Sequence, residues 1–563
     1  MIKIIKGSTS YRNDLDGLKG ICVLAVIFFH SNLDFLNGGF AGVDIFFVIS
    51  GFFITLSIIR KISEGKFDLI KFYLRRIKRI FPQVLFVSTA SIPFSLFLLD
   101  PSQLRLFSES FTWSLLFSTN IFFWRSGGSY FAESINDQPL LHLWSLGIEM
   151  QFYILFPIFI ILSNKFINFK KISQLVLALT VISLLLSQWA SINSPAANFY
   201  LLPPRAWELL LGSLCGIYVF KNGLKSNNFL ALVGIFSIIS SFFFINASAN
   251  PPSLIMLFPV IGALLIIIYS NKTDVGKILG TFPLKQLGLM SYSLYLWHHP
   301  VFSFIDVLAP FPKSKIIFLL EIFIIFILSC FSYYVIEKPL RYSNRSEFII
   351  APTYLSLIFL GVAFNKIHDS IVEKFYSREE ILFIEESKKR NPFRNKCLTS
   401  NKGSFNPNCK FGSKVNHPTV AIFGDSHAVT LAYSLGEIFN NRKKSLIFYG
   451  HTHCPPISEV YSYSKFGKIS CNMFNDYALK NIINNNDIEF VFLFARWPLY
   501  YTGKHFENPP FGIESGSESR VGIRNVNEKM RKLSYLENLE KTISIFMSNN
   551  KKIILIDAVP EVG

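Results

Sequence analysis

Long apolar runs, broken by short polar or basic stretches, fill the chain from residue 15 to about 365. Behind them, short apolar runs alternate with amphipathic helical stretches. About twenty apolar residues cross a bilayer as a helix. Eleven segments are expected to do so: 15–31, 39–59, 81–99, 143–163, 172–190, 206–220, 229–247, 254–270, 284–306, 315–336 and 347–365. Segment 108–124 is also apolar, but its Ser, Thr and Asn residues and nearby Arg125 assign it to a loop or re-entrant stretch. In the tail, TVAIFG, SLIFYG, EFVFLFA and KKIILIDAV read as strands, with helical patterns over 428–439, 474–485 and 527–548. Such alternation predicts a parallel α/β sheet. The expected architecture is a polytopic α-helical membrane domain over 1–345 and one more spanning helix over 346–366. A linker or extension follows over 367–416, then a three-layer α/β domain over 417–563.

Charge fixes the expected orientation. Lys and Arg number 55 against 37 Asp and Glu, a net charge of +18. With the N-terminus inside, the inner segments hold Lys3, Lys6, Arg12, the run from Arg60 to Arg79, Lys165, Lys170, Lys171, Lys221, Lys225, Lys272, Lys277, Lys338, Arg341 and Arg345. The outer short loops hold only Arg105, Arg125, Arg205, Lys313 and Lys315. This is the positive-inside asymmetry of a membrane protein, so the lipid bilayer is the expected partner and nucleic acid is excluded. An odd number of spans puts the tail outside the cytoplasm. No cleavable signal peptide is evident, so the first apolar segment is expected to stay as a membrane helix. Cys22, Cys215 and Cys330 lie in apolar segments and read as packing residues. Cys397, Cys409, Cys454 and Cys471 all lie in the tail. Three pairings are possible; proximity favours Cys397–Cys409 and Cys454–Cys471 disulfides, which suit an oxidising compartment. No Cys-x-x-Cys spacing supports zinc, and no metal is expected.

Ionisable groups inside membrane segments are costly and are functional candidates. His30 ends the run ICVLAVIFFH; a histidine hydrogen-bonded at a helix end is the alternative reading. Glu149 and Asp44 lie in apolar stretches and are open to the same choice between function and ion pairing. Trp144, Trp207 and Trp297 read as interfacial aromatics. The basic stretch FYLRRIKRIFP suits either a topology anchor on anionic lipid or a phosphate clamp. In the tail, VAIFGDSH ends an apolar strand in a sharp turn. Such a turn exposes the Ser426 hydroxyl at a new helix N-terminus, where developing negative charge is favoured.

YRNDLDGLKGICVLAVIFFH, GGFAGVDIFFVISGFFIT, FYLRRIKRIFP, LHLWSLGIEMQFY, RAWELLLGSLCG and SYSLYLWHHP occur in that order. Together they resemble the integral-membrane acyltransferase family 3, over about residues 11–340. The resemblance implies transfer of acetyl from acetyl-CoA to an extracytoplasmic glycan or lipid, with no permanently bound cofactor. A basic residue, ten residues and then histidine maps onto Lys19 and His30, although Arg is usual at the first place. It implies that His30 is catalytic, that Lys19, Arg75, Arg76 and Arg79 bind the donor, and that Glu149 is a core polar residue at the site. Asp14, Asp16 and Glu149 are each candidates to orient His30. The strand-Gly-Asp-Ser-His turn resembles the SGNH/GDSL hydrolases over about 417–563, which implies Ser426 as nucleophile.

Gly450, after the second strand, is a candidate oxyanion donor. Where that family has Gly-x-Asn, this chain reads LFARWP, with Arg496 and Trp497. Its Asp-x-x-His does not follow, and His427, His451, His453 and His505 stand elsewhere, so the sequence is expected to be a fragment. Both resemblances together imply an O-acetyltransferase in a bacterial inner membrane with a periplasmic tail. The acceptor expected first is lipopolysaccharide O-antigen. Alternatives are a peptidoglycan acceptor, a transporter or flippase with a glycan-binding tail, and a tethered glycan esterase.

Overall fold

The computed structural model describes residues 11–31, 36–126, 138–166, 169–246, 251–309, 314–342, 346–381, 394–399, 409–413, 417–452, 454–459, 461–464, 467–502, 507–508, 512–513, 520–521 and 528–557. They form two compact units, one through Ile381 and the other from residue 394 onward.

The first unit is helical, and each expected span overlaps one or more helices. The first three helices are Asn13–His30, Ala41–Ser63 and Leu69–Leu98. Among the described residues, five helices are long and apolar enough to cross a membrane: Ala41–Ser63, Leu69–Leu98, Leu141–Asn164, Lys171–Asn193 and Lys315–Tyr342. Asn228–Phe244 and Leu254–Tyr269 are shorter but apolar. Leu177, Ile182, Leu185 and Trp189 are exposed along one of the long helices. Only lipid suits such a surface, and a helix satisfies its own backbone there. The chain is a multi-pass membrane protein.

Two segments differ from the expectation, and a third, 284–306, is interrupted as its sequence implies. The basic stretch is not a loop between spans: it is the first half of the third helix, which Asp68 caps by accepting the Lys71 N–H at 3.0 Å. Segment 284–306 is two helices, Phe282–Leu289 and Ser291–Leu308, joined at Met290. Segment 108–124 is helical as well, in Pro101–Leu115 and Thr119–Arg125. Asp100 and Gln103 form a capping box around Pro101, and Leu104, Phe107, Phe111 and Leu115 share one buried face. The serines that suggested a loop bond back to their own helix: Ser110 to the Phe107 carbonyl and Ser114 to that of Phe111.

The second helix and Leu202–Asn222 cross closely. A Cβ on Gly51 would stand 2.0 Å from the Leu209 carbonyl oxygen, and one on Gly212 2.0 Å from that of Val48. Only glycine fits at both places, and the approach brings Asp44 against Arg205.

The second unit holds a sheet of mostly parallel strands in the order Leu398–Thr399, Ser445–His451, Val420–Gly424, Phe490–Phe494, Lys552–Ile556. Lys410–Gly412 pairs antiparallel with Ser445–Ile447. Leu398–Thr399 and Lys410–Gly412 lie within the stretch expected to be linker. Cys397 and Cys409, each immediately before one of these strands, are joined by a disulfide, and Cys454–Cys471 is the second. Both pairings are the expected ones. Val420 and Ile422 face Ala428, Val429 and Ala432 of helix Ala428–Asn441. Ala421 and Phe423 face Phe474, Leu479 and Phe546 on helices Cys471–Ile483 and Glu528–Ser548. A two-residue period with both faces buried is the signature of a three-layer parallel sheet. Each fully buried Phe contributes roughly 1.5–3 kcal/mol.

Candidate active site

Two sites emerge, one in each unit. In the membrane unit, a cavity of about 600 Å³ is rimmed by Arg12, Lys19, Arg60, Lys61, Arg79 and Arg341. It narrows to an inner chamber of about 120 Å³. Lys19, Phe53, Arg76, Arg79, Ser291 and Tyr292 line both, so the two are continuous. Of the three arginines singled out from the basic stretch, Arg76 and Arg79 face this space and Arg75 is exposed. Arg75 stands about 100° round the helix from Arg76, on the far side of Arg79 from it, which takes it off the cavity. Arg76 lies over the Phe72 and Tyr153 rings, which hold its guanidinium against the chamber. Lys19 pairs with Asp16 at 2.9 Å.

Glu149 lines the inner chamber and accepts hydrogen bonds from Ser50 and Tyr153. Asp14 is held by Arg12 and Ser270. Asp14 and Asp16 begin the helix that His30 ends, roughly 21–24 Å apart at 1.5 Å per residue. Neither can orient the imidazole. A carbonyl does so instead: His30 Nδ1 is 2.9 Å from the Val26 oxygen. A carbonyl only accepts, so Nδ1 carries the hydrogen and Nε2 the lone pair.

His30 does not stand alone. His298 and His299 lie with ring centroids 5.1 and 5.4 Å from it, and His142 lies 5.5 and 5.4 Å from those two. His142, His298 and His299 are buried. Tyr295 joins this cluster to the chamber: its hydroxyl is 2.6 Å from Ser145 Oγ and donates to the His142 carbonyl at 2.9 Å. The three additional histidines were not selected from sequence, although LHLWSL and LWHHP contain them. Histidines inside apolar runs were the available signal.

Arg205, placed by charge counting in an outer loop, is buried. It pairs with Asp44 at 2.6 Å and Glu208 at 3.2 Å, and both members of each pair are at most 2% exposed. Its guanidinium packs 5.1 Å from the Trp144 ring and 4.8 Å from that of Phe199. Trp144, Trp207 and Trp297 are core residues rather than interfacial ones. Asp44 therefore belongs to a structural ion cluster.

In the second unit, Ser426 follows the central strand, beside the end of Phe490–Phe494. The strand order makes this the switch point of the sheet, where ligands enter between strand ends. A Cβ on Gly424 would meet the Phe494 carbonyl at 1.9 Å, so the turn requires glycine. Asp425 is buried and fixes the turn. One carboxylate oxygen accepts the His427 N–H at 2.8 Å; the other accepts the Arg496 N–H at 3.0 Å and the Tyr500 hydroxyl at 2.9 Å. Burial and the neighbouring Asp425 charge push the Tyr500 phenol well above its ordinary pKa, so it stays a donor. Ser426 is left half-buried. Gly450 lies within its strand, not after it, opposite Gly424 on one side and Leu398 on the other. His427 is exposed, and His451 is buried against Phe474 with Nδ1 2.7 Å from the Thr452 carbonyl oxygen. His453 and His505 lie outside the described residues.

Residues 12–338 match the family described as an acyltransferase domain, and residues 396–563 match the SGNH domain found fused to such domains. The chain is similar to O-acetyltransferase OatA of Staphylococcus aureus, 30% identical over 364 residues, or 61% of this chain and 60% of that protein. It is similar to peptidoglycan O-acetyltransferase OatA of Listeria monocytogenes, 30% identical over 61% of this chain and 57% of that one. It is also similar to a putative peptidoglycan O-acetyltransferase, YrhL, of Bacillus subtilis, 31% identical over 60% and 56%. The matched region thus spans about 60% or less of the length of these relatives. No solved structure matches.

Proposed function

From the premise that this chain belongs to the membrane acyltransferase family with a fused SGNH domain, and is an acyl-transferring enzyme, we propose that it is an O-acetyltransferase drawing on cytoplasmic acetyl-CoA. Its acceptor is a peptidoglycan glycan strand. The observation that carries this reading is the continuous space from a cationic rim, past Arg76 and Arg79, to Tyr295, whose ring packs against His142 and His298 of the histidine cluster. Coenzyme A is a long, polyanionic thioester carrier. Its phosphates suit the rim, where arginine forks bind them bidentately, and its thioester end suits the cluster. His30 Nε2, with Nδ1 held by Val26, is the group that takes a proton or bonds the acetyl carbon.

Ser426 then receives the acetyl group and passes it to the glycan hydroxyl. The two disulfides support a tail in an oxidising compartment, outside the inner membrane of a bacterium. The names of the similar proteins favour peptidoglycan over the O-antigen expected first.

Proteoliposomes given radiolabelled acetyl-CoA and glycan strands test the reading. Label should appear on glycan as an alkali-labile ester. His30→Ala should abolish this transfer, and Ser426→Ala should abolish glycan labelling while leaving donor binding intact. Wild-type labelling by His30→Ala refutes the membrane step; wild-type labelling by Ser426→Ala refutes the second.

A further inference from the structure

The two nearest rings of the cluster are held alike. His30 Nδ1 bonds the Val26 carbonyl, and His298 Nδ1 bonds that of Tyr295. By the same logic, each ring keeps its hydrogen on Nδ1 and a lone pair on Nε2. The rings of His30, His298 and His299 each bring one nitrogen within 4.8 Å of the others. His298 is fully buried, and its Nε2 has no hydrogen-bond partner among the described residues. A buried acceptor left unsatisfied is destabilising. Two Nε2 lone pairs in one cluster favour a positive charge between them, because either ring alone is a poor place to leave an imidazolium.

We propose that His298 is the second half of the base: a proton taken by His30 is shared between the Nε2 atoms of His30 and His298. This rests on the His30 reading above. As the acceptor O–H bond breaks, its proton goes to His30 Nε2 and into the shared N–H···N bridge. The acceptor oxygen bonds the acetyl carbon and the carbon–sulfur bond breaks. The same proton then passes to the departing thiolate, giving ester and free thiol with nothing left over. His298 thereby lowers the barrier without touching the acetyl group; it is a positioning residue for the proton.

The test uses the full-length chain in proteoliposomes, with His30→Ala, His298→Gln and the double variant. Acetyl-CoA binding to His298→Gln should stay within twofold of wild type, while turnover falls on the order of 100-fold, the range of general-base assistance. The double variant should be no slower than His30→Ala, as groups acting as one unit behave. If His298→Gln fails to bind donor, His298→Asn replaces it, since its amide can still donate to the Tyr295 carbonyl. Three results overturn the proposal: turnover within threefold of wild type, additive losses in the double variant, or one equivalent of zinc in the purified protein that His298→Gln removes. The last would make the lone pairs a metal site. An active His30→Ala refutes the reading of His30 itself, whereas an active His298→Gln beside an inactive His30→Ala refutes only the sharing.

Discussion

Tyr500→Phe isolates one hydrogen bond at the serine turn. The phenol ring is buried and stays; only the hydroxyl that donates to Asp425 at 2.9 Å is lost. A hydrogen bond to a charged group contributes about 1.5–3 kcal/mol. At 1.4 kcal/mol per factor of ten, local opening around Ser426 should become roughly 10- to 150-fold more frequent. Hydrogen–deuterium exchange of peptides covering 420–430 and 490–500 reads this in the full-length protein. Asp425 holds the His427 and Arg496 amides, so the extra exchange should concentrate at those positions. Glycan labelling should fall as well, because a nucleophile displaced by about 1 Å costs up to 100-fold. The raised Tyr500 pKa sets the pH behaviour. A phenol whose folded pKa lies above its unfolded value stabilises fully below about pH 10, the unfolded value, and loses that contribution only above it. The difference between Tyr500 and Phe should therefore be flat from about pH 6 to 9. Tyr535→Phe is the control: its buried hydroxyl has no partner among the described residues, so removing it should leave exchange unchanged or slightly slower. Equal effects from the two variants, or none from Tyr500→Phe, would refute the assignment of Asp425 as the anchor of the turn.

The same accounting applies to the membrane unit. Arg76→Gln and Arg79→Gln should each weaken acetyl-CoA binding by about tenfold or more, as loss of a charge-assisted contact does, while Arg75→Gln, which lies off the cavity, should not; calorimetry on the three variants decides. Arg205→Met leaves Asp44 and Glu208 buried without their cation, at a cost of about 3–5 kcal/mol, so little monodisperse protein should survive detergent extraction; normal yield would contradict the ion cluster. Lys19 lies over the Phe53 ring and reaches a single oxygen of Asp16. Lys19→Arg should therefore keep glycan labelling within about threefold, since its fork can take both oxygens. Lys19→Met strands the buried Asp16 and should lose most labelling; an active Lys19→Met would remove the cation from the site.

What the sequence made legible follows period and local chemistry. The helices, the parallel strands and the serine turn each depend on residues close in sequence. Both disulfides were predicted from proximity, their cysteines being 12 and 17 residues apart. Segment 108–124 was misjudged because Ser108, Ser110 and Ser114 were counted as polar. In apolar surroundings a serine hydroxyl returns to its own helix and costs little. Arg205 was misplaced for a related reason: charge counting assumes that a cation between spans is solvated, and it cannot see two carboxylates brought up by a glycine crossing. The histidine cluster assembles from residues 30, 142, 298 and 299. Periodicity gives one face of one helix and is silent on which faces meet.

The first helix shows how the local and the distant combine. Lys19 and His30 are eleven residues apart, about 16 Å along an α-helix. At 100° per residue, eleven steps bring the side chain round to nearly its starting direction, about 20° past three turns. The cation and the imidazole therefore project on almost one side of the helix at different depths. Lys19 reaches the inner chamber, whereas His30 reaches the rings of His298 and His299. One rigid element thus sets the separation between the charged part of the cavity and the His30 imidazole. A spacing of nine or thirteen residues would keep both residue types and turn one of them away. On the function proposed above, the motif is a ruler for a donor with phosphates at one end and a thioester at the other. Its length and its angular phase were both present in the sequence. The surfaces it measures between became visible only once the helices from residues 69, 144 and 291 were packed around it.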